Sequence, residues 1–181
     1  MLRIAEVRVA ASSDDAEEGA SGKMDLTSSD LEMVYDGGDQ KVGMRFAGVM
    51  IPRGAVVELA YLQFKVDEKS LVRTDLTIVG EATGNAQGFS SLGYNISSRS
   101  RTTAEVSWPG VVEWPVVGAA GLDQRSPDMS AVIQEIVSRA DWAEGNALVI
   151  MTSGSGERVA EAYDGDRAGA PLLHVEFITG D

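Results

Sequence analysis

Aromatic and arginine side chains gather in two glycine- and serine-containing stretches, where a ring could face a ligand. Phe89 and Tyr94 lie in the first stretch with Arg99 and Arg101 close behind them, and Trp114 lies in the second. An aromatic ring can stack on the apolar C–H face of a pyranose, and a forked guanidinium can hold a carboxylate bidentately. The set Tyr94, Arg99, Arg101 and Trp114 therefore predicts a sugar-binding surface. The alternative is that a loop aromatic only anchors its own loop to the core.

Two acidic pairs have the spacing of a calcium site. Asp30 and Glu32 are two residues apart, so on a strand they share one face while Leu31 points to the core. Asp164 and Asp166 repeat this spacing around a glycine that permits a tight turn. Calcium takes six to eight oxygen ligands, many of them carboxylates, so the four acids predict a structural calcium site. A solvated turn is the alternative, and no complete EF-hand loop is present.

Signs of catalysis are weak. His174 is the single histidine, and no serine in the chain has a nucleophile elbow around it, so no Ser–His–Asp triad can be assembled. The chain has no Cys, which excludes disulfides and thiolate-bound metals. Acids are numerous, but no motif marks a glycosidase pair. An enzyme would need paired acids in a cleft, and we expect none.

The net charge of the chain argues against two classes of binding partner. The formal net charge is -13, whereas nucleic acid and anionic membranes both require clusters of Lys and Arg. We therefore expect neither partner. No run of about 20 apolar residues is present, so no membrane span is predicted. The acidic surplus fits either a merely soluble surface or the binding of a hard cation such as calcium.

The elements that must position these residues follow a period of two. Alternation of inward apolar residues predicts strands ending near the following positions: Val9, Phe46, Val66, Ile78, Trp108 and Phe177. The continuous apolar run 147–151 predicts a central strand with both faces covered. Glycine-rich turns separate these runs, as between Asp36 and Asp39. Short strands with regular turns indicate a sandwich rather than a βαβ fold.

One segment has helical spacing instead. Met129, Val132, Ile133, Ile136 and Val137 recur every three to four residues and predict one helix of about ten residues. The stretch 108–125 is the longest loop, and long loops are often functional. No second domain or linker is visible, so we expect a single domain over 1–181.

A series of short pieces occurs in a fixed order along the chain: Gly43–Phe46, Ile51–Ala55, Ala60–Phe64, Thr102–Trp108, Asp128–Val132, Trp142–Ala147 and Ala170–Val175. Together these pieces resemble the DNRLRE-type domains, although the hexapeptide that names the family does not occur. The resemblance places Trp108 and Trp142 in the core. It implies an exported, multidomain context, and relatives include polysaccharide-binding modules attached to marine carbohydrate-active enzymes. On this basis we expect Met1 to begin a domain excised from a larger extracellular or cell-surface protein.

These observations predict an all-β fold, an antiparallel β-sandwich of jelly-roll type with one short α-helix. The predicted function is a non-catalytic carbohydrate-binding module that recognises an extracellular polysaccharide, with acidic polymers favoured and calcium as a structural ion. The alternative is a purely structural or adhesive calcium-binding module that docks other domains of its parent protein. The first function needs an exposed aromatic platform, whereas the second expects all three Trp residues to be buried.

Overall fold

The computed structural model describes residues 1–180, which form twelve antiparallel strands, most of them with alternating apolar residues. The strands are β1 Leu2–Arg8, β2 Asp15–Gly19, β3 Met24–Asp25, β4 Asp30–Met33, β5 Gln40–Phe46, β6 Val56–Gln63, β7 Val66–Glu68, β8 Asp75–Glu81, β9 Arg101–Trp108, β10 Leu148–Ser155, β11 Arg158–Glu161 and β12 Leu172–Ile178. A 3₁₀ turn spans Leu122–Gln124, and one α-helix, α1, spans Ser130–Val137.

The strands pair in three sheets. The largest has the order β3-β2-β5-β10-β8-β9, and the two smaller sheets have the orders β1-β12-β6 and β4-β11-β7. Side chains from all three sheets meet in one large apolar core. The predicted antiparallel β-sandwich with one short helix is therefore confirmed.

Strand β10 has apolar side chains on both faces, as its continuous apolar sequence predicts. Leu148 and Ile150 belong to the main core. Val149 and Met151 belong to a second, smaller cluster that includes Phe89, from the loop that follows β8. This loop therefore covers the outer face of the six-stranded sheet, and it carries Tyr94 and Arg99 to the surface region described below.

Helix α1 buries the apolar stripe predicted for it. Val132, Ile133, Ile136 and Val137 are all buried, and the helix packs against β6, β8 and β9. Asp128 Oδ1 accepts a hydrogen bond from the Ser130 backbone N–H at 2.9 Å, which satisfies one free donor of the first turn. Within residues 1–180, no helix has the length and apolar character needed to cross a membrane.

Candidate functional site

Four acidic side chains at the start of the six-stranded sheet are buried: Asp14, Asp15, Glu17 and Glu18. Two of them hold other segments in place. Arg45 donates a hydrogen bond from Nη1 to Asp14 Oδ1 at 2.6 Å within a salt bridge. Glu18 Oε2 accepts the backbone N–H groups of Ile96 and Ser97 at 2.7 and 2.8 Å, which anchors the loop after β8. A buried carboxylate with such partners avoids the large cost of an unpaired charge.

Asp15 holds the chain near its C-terminal end. Its Oδ2 accepts the Tyr163 backbone N–H at 2.8 Å. Burial is the main cause that raises the pKa of Asp15 to about 7; the nearby Asp164 and Asp14 charges contribute to this increase, and the Tyr163 hydrogen bond opposes it. Asp15 therefore titrates near neutral pH, unlike an exposed aspartate.

Glu17 and Glu32 form a close pair of carboxyl groups. Burial is the main cause that raises the pKa of both groups; Glu32 raises the pKa of Glu17 further, and the charges of Asp30 and Asp36 raise that of Glu32. Glu17 Oε1 accepts the Glu32 backbone N–H at 2.8 Å and Gln40 Nε2–H at 2.9 Å. Within residues 1–180, Glu32 Oε2 is the one buried side-chain oxygen or nitrogen without a hydrogen-bond partner. The pair can satisfy this oxygen by sharing a proton.

A polar groove opens beside this pair at the β2–β3 hairpin. Its first depression, of about 190 Å³, is lined by Glu17, Gly19, Ser21, Lys23, Met24, Asp25, Asp36 and Gln40. The second, of about 320 Å³, is lined by Ala20, Asp39, Gln40, Lys41, Ser153 and Gly154. Gln40 lies in the wall of both depressions, which together are called the hairpin groove below.

Tyr94 lies on the tip of the same hairpin. Its backbone N–H donates to the Gly22 carbonyl at 2.9 Å, and a Cβ at Gly22 would lie 2.5 Å from the Tyr94 ring. Only glycine permits this close approach. The flanking residues Ser21 and Lys23 line the hairpin groove, and 54% of Tyr94 is exposed. Of the four predicted sugar-binding residues, Tyr94 thus packs on the hairpin between two residues of the groove lining, with more than half of its surface exposed.

The two predicted arginines have different environments. The Arg99 side chain is only 8% exposed, forms a 2.7 Å salt bridge with Glu81, and lies over the Phe89 ring. It holds the loop after β8 together, and its guanidinium N–H groups are already bonded within the protein and so do not offer a bidentate site for a carboxylated sugar. Arg101 is exposed at the start of β9. The structure therefore does not assemble the two guanidinium groups into one binding site.

The prediction that Trp114 offers an exposed ring is wrong. Trp114 is completely buried, its ring centroid lies 6.0 Å from that of Phe64, and its Nε1–H donates to the Asp123 carbonyl at 3.0 Å. The backbone on either side of it is paired with β7 and the segment after it, so the long loop is fixed to the sandwich. Trp108 and Trp142 are also buried, as predicted.

The acids Asp30 and Glu32 lie on one face of β4, and Leu31 is buried on the other, as their spacing predicts. Asp30 lies with Asp67 and Glu68, whose nearest carboxylate oxygens are all within 4.8 Å of one another. Three carboxylates at this separation fit a hard cation such as calcium. Glu32 instead pairs with Glu17, so the two predicted ligands contribute to different acidic groups.

The second predicted calcium pair is occupied by protein contacts. Lys65 Nζ donates to Asp166 Oδ2 at 2.6 Å, the Ala168 backbone N–H donates to Asp166 Oδ1, and these bonds lower the pKa of Asp166. Asp164 Oδ1 accepts a hydrogen bond from Ser12 Oγ at 2.8 Å. Because the Lys65 ammonium already neutralises Asp166, this pair does not fit a calcium ion, and its prediction as a metal site is not supported by the geometry.

His174 lies among side chains that give it a structural role. Its Nδ1 is 2.8 Å from Glu6 Oε1, and its ring is stacked on Tyr61 with centroids 4.6 Å apart. No serine or other nucleophile is hydrogen-bonded to it in the described part of the chain. The three-stranded sheet β1-β12-β6 therefore uses His174 to join its strands, in line with the interpretation from sequence.

The sequence does not point to the residues that line the hairpin groove, nor to the two acids that lie with Asp30. Glu17, Asp36 and Gln40 line the groove, while Asp67 and Glu68 join Asp30. The acidic run beside Ala16 is visible in the sequence, but consecutive charges usually indicate a solvated segment. No local signal marks β2 as a buried strand. No family model matches the chain, and a comparison with curated proteins finds no match.

Proposed function

We propose that this chain is a non-catalytic module that binds a polysaccharide along the hairpin groove. One observation carries the proposal: two adjoining depressions form a polar groove, and the partly exposed Tyr94 ring covers Gly22, which lies between the lining residues Ser21 and Lys23. A sugar polymer needs an extended surface that combines an aromatic face with hydrogen-bonding groups. The groove and Tyr94 offer this combination, and Trp114 takes no part in it.

The lining of the groove suits hydroxyl groups. Glu17, Asp36 and Gln40 provide oxygen acceptors, and Ser21 and Lys23 provide donors. A sugar hydroxyl both donates and accepts, so it can use both kinds of group. In the sequence, a preference for acidic polymers depends on the arginine pair, but Arg99 forms a salt bridge with Glu81. We therefore propose no preference for acidic polymers.

Two features support a non-catalytic role. Glycoside hydrolysis requires two carboxyl groups about 5 Å or more apart, with the scissile bond between them. Glu17 and Glu32 are close enough to share a proton, and Glu32 Oε2 is buried away from the groove. A substrate has no space between them. The single histidine, His174, lies in the sheet β1-β12-β6 and is hydrogen-bonded to Glu6 there, so it cannot assist a reaction in the groove.

Calcium remains part of the proposal, with a revised set of ligands. Asp30, Asp67 and Glu68 would hold the ion, since their oxygens already converge. An ion there would join β4 to β7 and supply structural cross-linking rather than ligand chemistry. The DNRLRE-type resemblance, a multidomain parent protein and an extracellular or cell-surface location are further proposals that the sequence resemblance supports.

A purely structural or adhesive module is the second candidate function. The burial of all three Trp residues favours it, because sugar-binding surfaces commonly rely on exposed tryptophan. The outer face of the sheet β1-β12-β6 also exposes apolar side chains at one end: Leu2, Ile4, Val56 and Ile178. Such a face suits contact with a neighbouring domain.

Isothermal titration with a panel of oligosaccharides tests the choice between the two functions. Tyr94 has a φ of 63°, so Tyr94→Asn removes the ring while keeping a residue that adopts this conformation readily. Loss of one stacking contact should weaken binding by about fivefold. Leu122→Ala, at an exposed site in the long loop, is the control and should bind as the wild type does. Absence of binding to every glycan would favour the structural module.

A further inference from the structure

We propose that the chain forms a homodimer in which β1 pairs antiparallel with β1 of a second copy, about a two-fold axis at Ile4. The pairing joins two copies of the sheet β1-β12-β6 along their β1 edges into one continuous sheet. Three observations lead to it: the free backbone groups on the outer edge of β1, the capping of the other edge strands, and the apolar side chains beside the free edge.

The outer edge of β1 presents backbone groups that have no partner. β1 pairs with β12 along its whole length without a register shift, and Val9 continues the ladder by donating its N–H to the Pro171 carbonyl at 3.0 Å. Bonded pairs recur at every second residue of an antiparallel ladder, so the odd-numbered residues of β1 bond to β12 and the even-numbered residues point away from it. Within residues 1–180, no other element bonds to the outward N–H and C=O groups. These groups belong to Leu2, Ile4, Glu6 and Arg8.

The other edge strands of residues 1–180 are short or have capping partners. β3 has only two residues. Along β6, side chains of the segment 126–134 accept three backbone N–H groups, and along β7 the long loop adds backbone hydrogen bonds. On β4, Glu17 and Gln40 bond to the Glu32 N–H and carbonyl, and on β9 the Glu135 carboxylate accepts two neighbouring N–H groups. β1 differs from all of them because its edge is open.

Apolar side chains lie beside this open edge. Leu2 and Ile4 are 53% and 60% exposed. Ile178 lies opposite Leu2 on β12, and Val56 lies opposite Ile178 on β6, so an exposed apolar row crosses the sheet and ends at β1. A strand added at the edge would cover the end of this row.

β1 also lacks the features that normally prevent strand addition. Natural edge strands avoid pairing through Lys, Pro or a bulge, and β1 has none of these. The two charged side chains on its outer face are bonded within its own sheet or next to it. Glu6 Oε1 lies 2.8 Å from His174 Nδ1, and Arg8 Nη1 donates to the Ala170 carbonyl. Neither charge therefore guards the edge.

A second copy of β1 fits this edge. With Ile4 opposite Ile4 of the copy and Leu2 opposite Glu6 of the copy, the outward groups exchange roughly six hydrogen bonds. This register brings Leu2 and Ile4 of both copies together, while the two Glu6 side chains lie four residues apart along the ladder, about 14 Å. β1 carries two arginines and one glutamate, so the acidic surplus of the chain does not oppose contact there. Because the far edge of each sheet, β6, is capped, the assembly ends at a dimer.

The dimer interface is separate from the hairpin groove. No residue that lines the groove belongs to β1, β12 or β6. The inference therefore goes beyond the proposed function, and either can fail while the other stands.

Sedimentation equilibrium of the full chain tests the dimer. The paired strands bury less surface than a standard interface, so we expect a Kd on the order of 100 μM, measured at concentrations on both sides of this value. Ile4→Lys places two ammonium groups opposite each other at the axis and should weaken association at least about tenfold. Val116→Lys is the matched control, because Val116 is also 60% exposed but lies in the long loop, and it should associate as the wild type does.

Amide hydrogen exchange followed by NMR locates the interface in the wild type. The N–H groups of Ile4 and Glu6 should be more protected at high than at low protein concentration, whereas the Ala5 N–H, already bonded to β12, should not change. A monomer at every concentration overturns the inference. A dimer that Ile4→Lys leaves intact, equal losses in the two lysine variants, or concentration-dependent protection that omits β1 also overturns it.

Discussion

The long loop 108–125 and the β2–β3 hairpin both differ from what their sequences suggest about burial and exposure. The loop contains Trp114 between glycines and prolines, yet it is bound along β7 and places its tryptophan in the core. The hairpin contains a run of four acids, yet it forms a buried strand with a groove at its tip. Neither loop length nor charge decides exposure; the available partners do. Trp114 finds Phe64 and a carbonyl, and Glu18 finds two backbone N–H groups.

The largest expected effect tests the loop half of this comparison. Trp114→Ala should lower the free energy of unfolding by about 3–5 kcal/mol, because it leaves a cavity in the core and an unpaired Asp123 carbonyl. Tyr94→Asn should change it by less than about 0.5 kcal/mol, since more than half of Tyr94 is exposed. Urea unfolding of both variants measures the difference. Similar losses in the two would show that the loop and the hairpin do not differ in their contribution to stability.

The second prediction concerns the buried acids of the hairpin. The folded state raises the pKa of Asp15 to about 7 from an ordinary value of 3.8, so the folded state binds this proton more tightly than the unfolded chain. The stability that this proton contributes is complete below about pH 4 and is lost as the pH rises through 7. Between pH 5 and 8 the free energy of unfolding should therefore fall, on the order of 2 kcal/mol, with further loss from Glu17 and Glu32.

Asp15→Asn is the test variant, because its side-chain oxygen can still accept the Tyr163 N–H. Urea unfolding at several pH values, in the presence of a chelator, should show a shallower slope for the variant than for the wild type. Asp75→Asn is the control. The Gly110 N–H and Arg73 lower the pKa of this half-buried aspartate, so it affects stability only in the acid range. A wild-type stability that is flat or rises between pH 5 and 8 would contradict the prediction.

The sequence predicted the apolar framework well and the polar sites poorly. The alternation in β5, β6 and β12 and the double-sided β10 follow from burial of apolar side chains, a property of each segment alone. The short strands β2, β7 and β11 have no such pattern and exist because neighbouring strands pair with them. The sequence also suggests ligand-binding roles for Asp166 and Arg99, because it does not show the protein partners that these side chains have. Their partners, Lys65 and Glu81, are 101 and 18 residues away in the chain, and no local signal reveals them.

The smallest expected effect is that of calcium. An ion bound by β4 and β7 would add a cross-link next to the long loop and none at the β2–β3 hairpin. Asp67 and Glu68 belong to β7, and β7 also pairs with the long loop through the Gly118 N–H and the Val66 carbonyl. An ion shared with Asp30 would tie β4 to the strand that holds this loop.

A ligand that binds only the folded state stabilises it by mass action, which gives about 1.4 kcal/mol at roughly tenfold excess over Kd. Millimolar calcium should therefore raise the melting temperature, and chelator should reverse the change. Asp67→Asn should remove the calcium-dependent increase, while Asp164→Asn, whose carboxylate is bonded to Ser12, should retain it. An increase that is lost in Asp164→Asn but kept in Asp67→Asn would place the ion at Asp164 and Asp166. A melting temperature that does not respond to calcium would show that neither group of acids binds the ion.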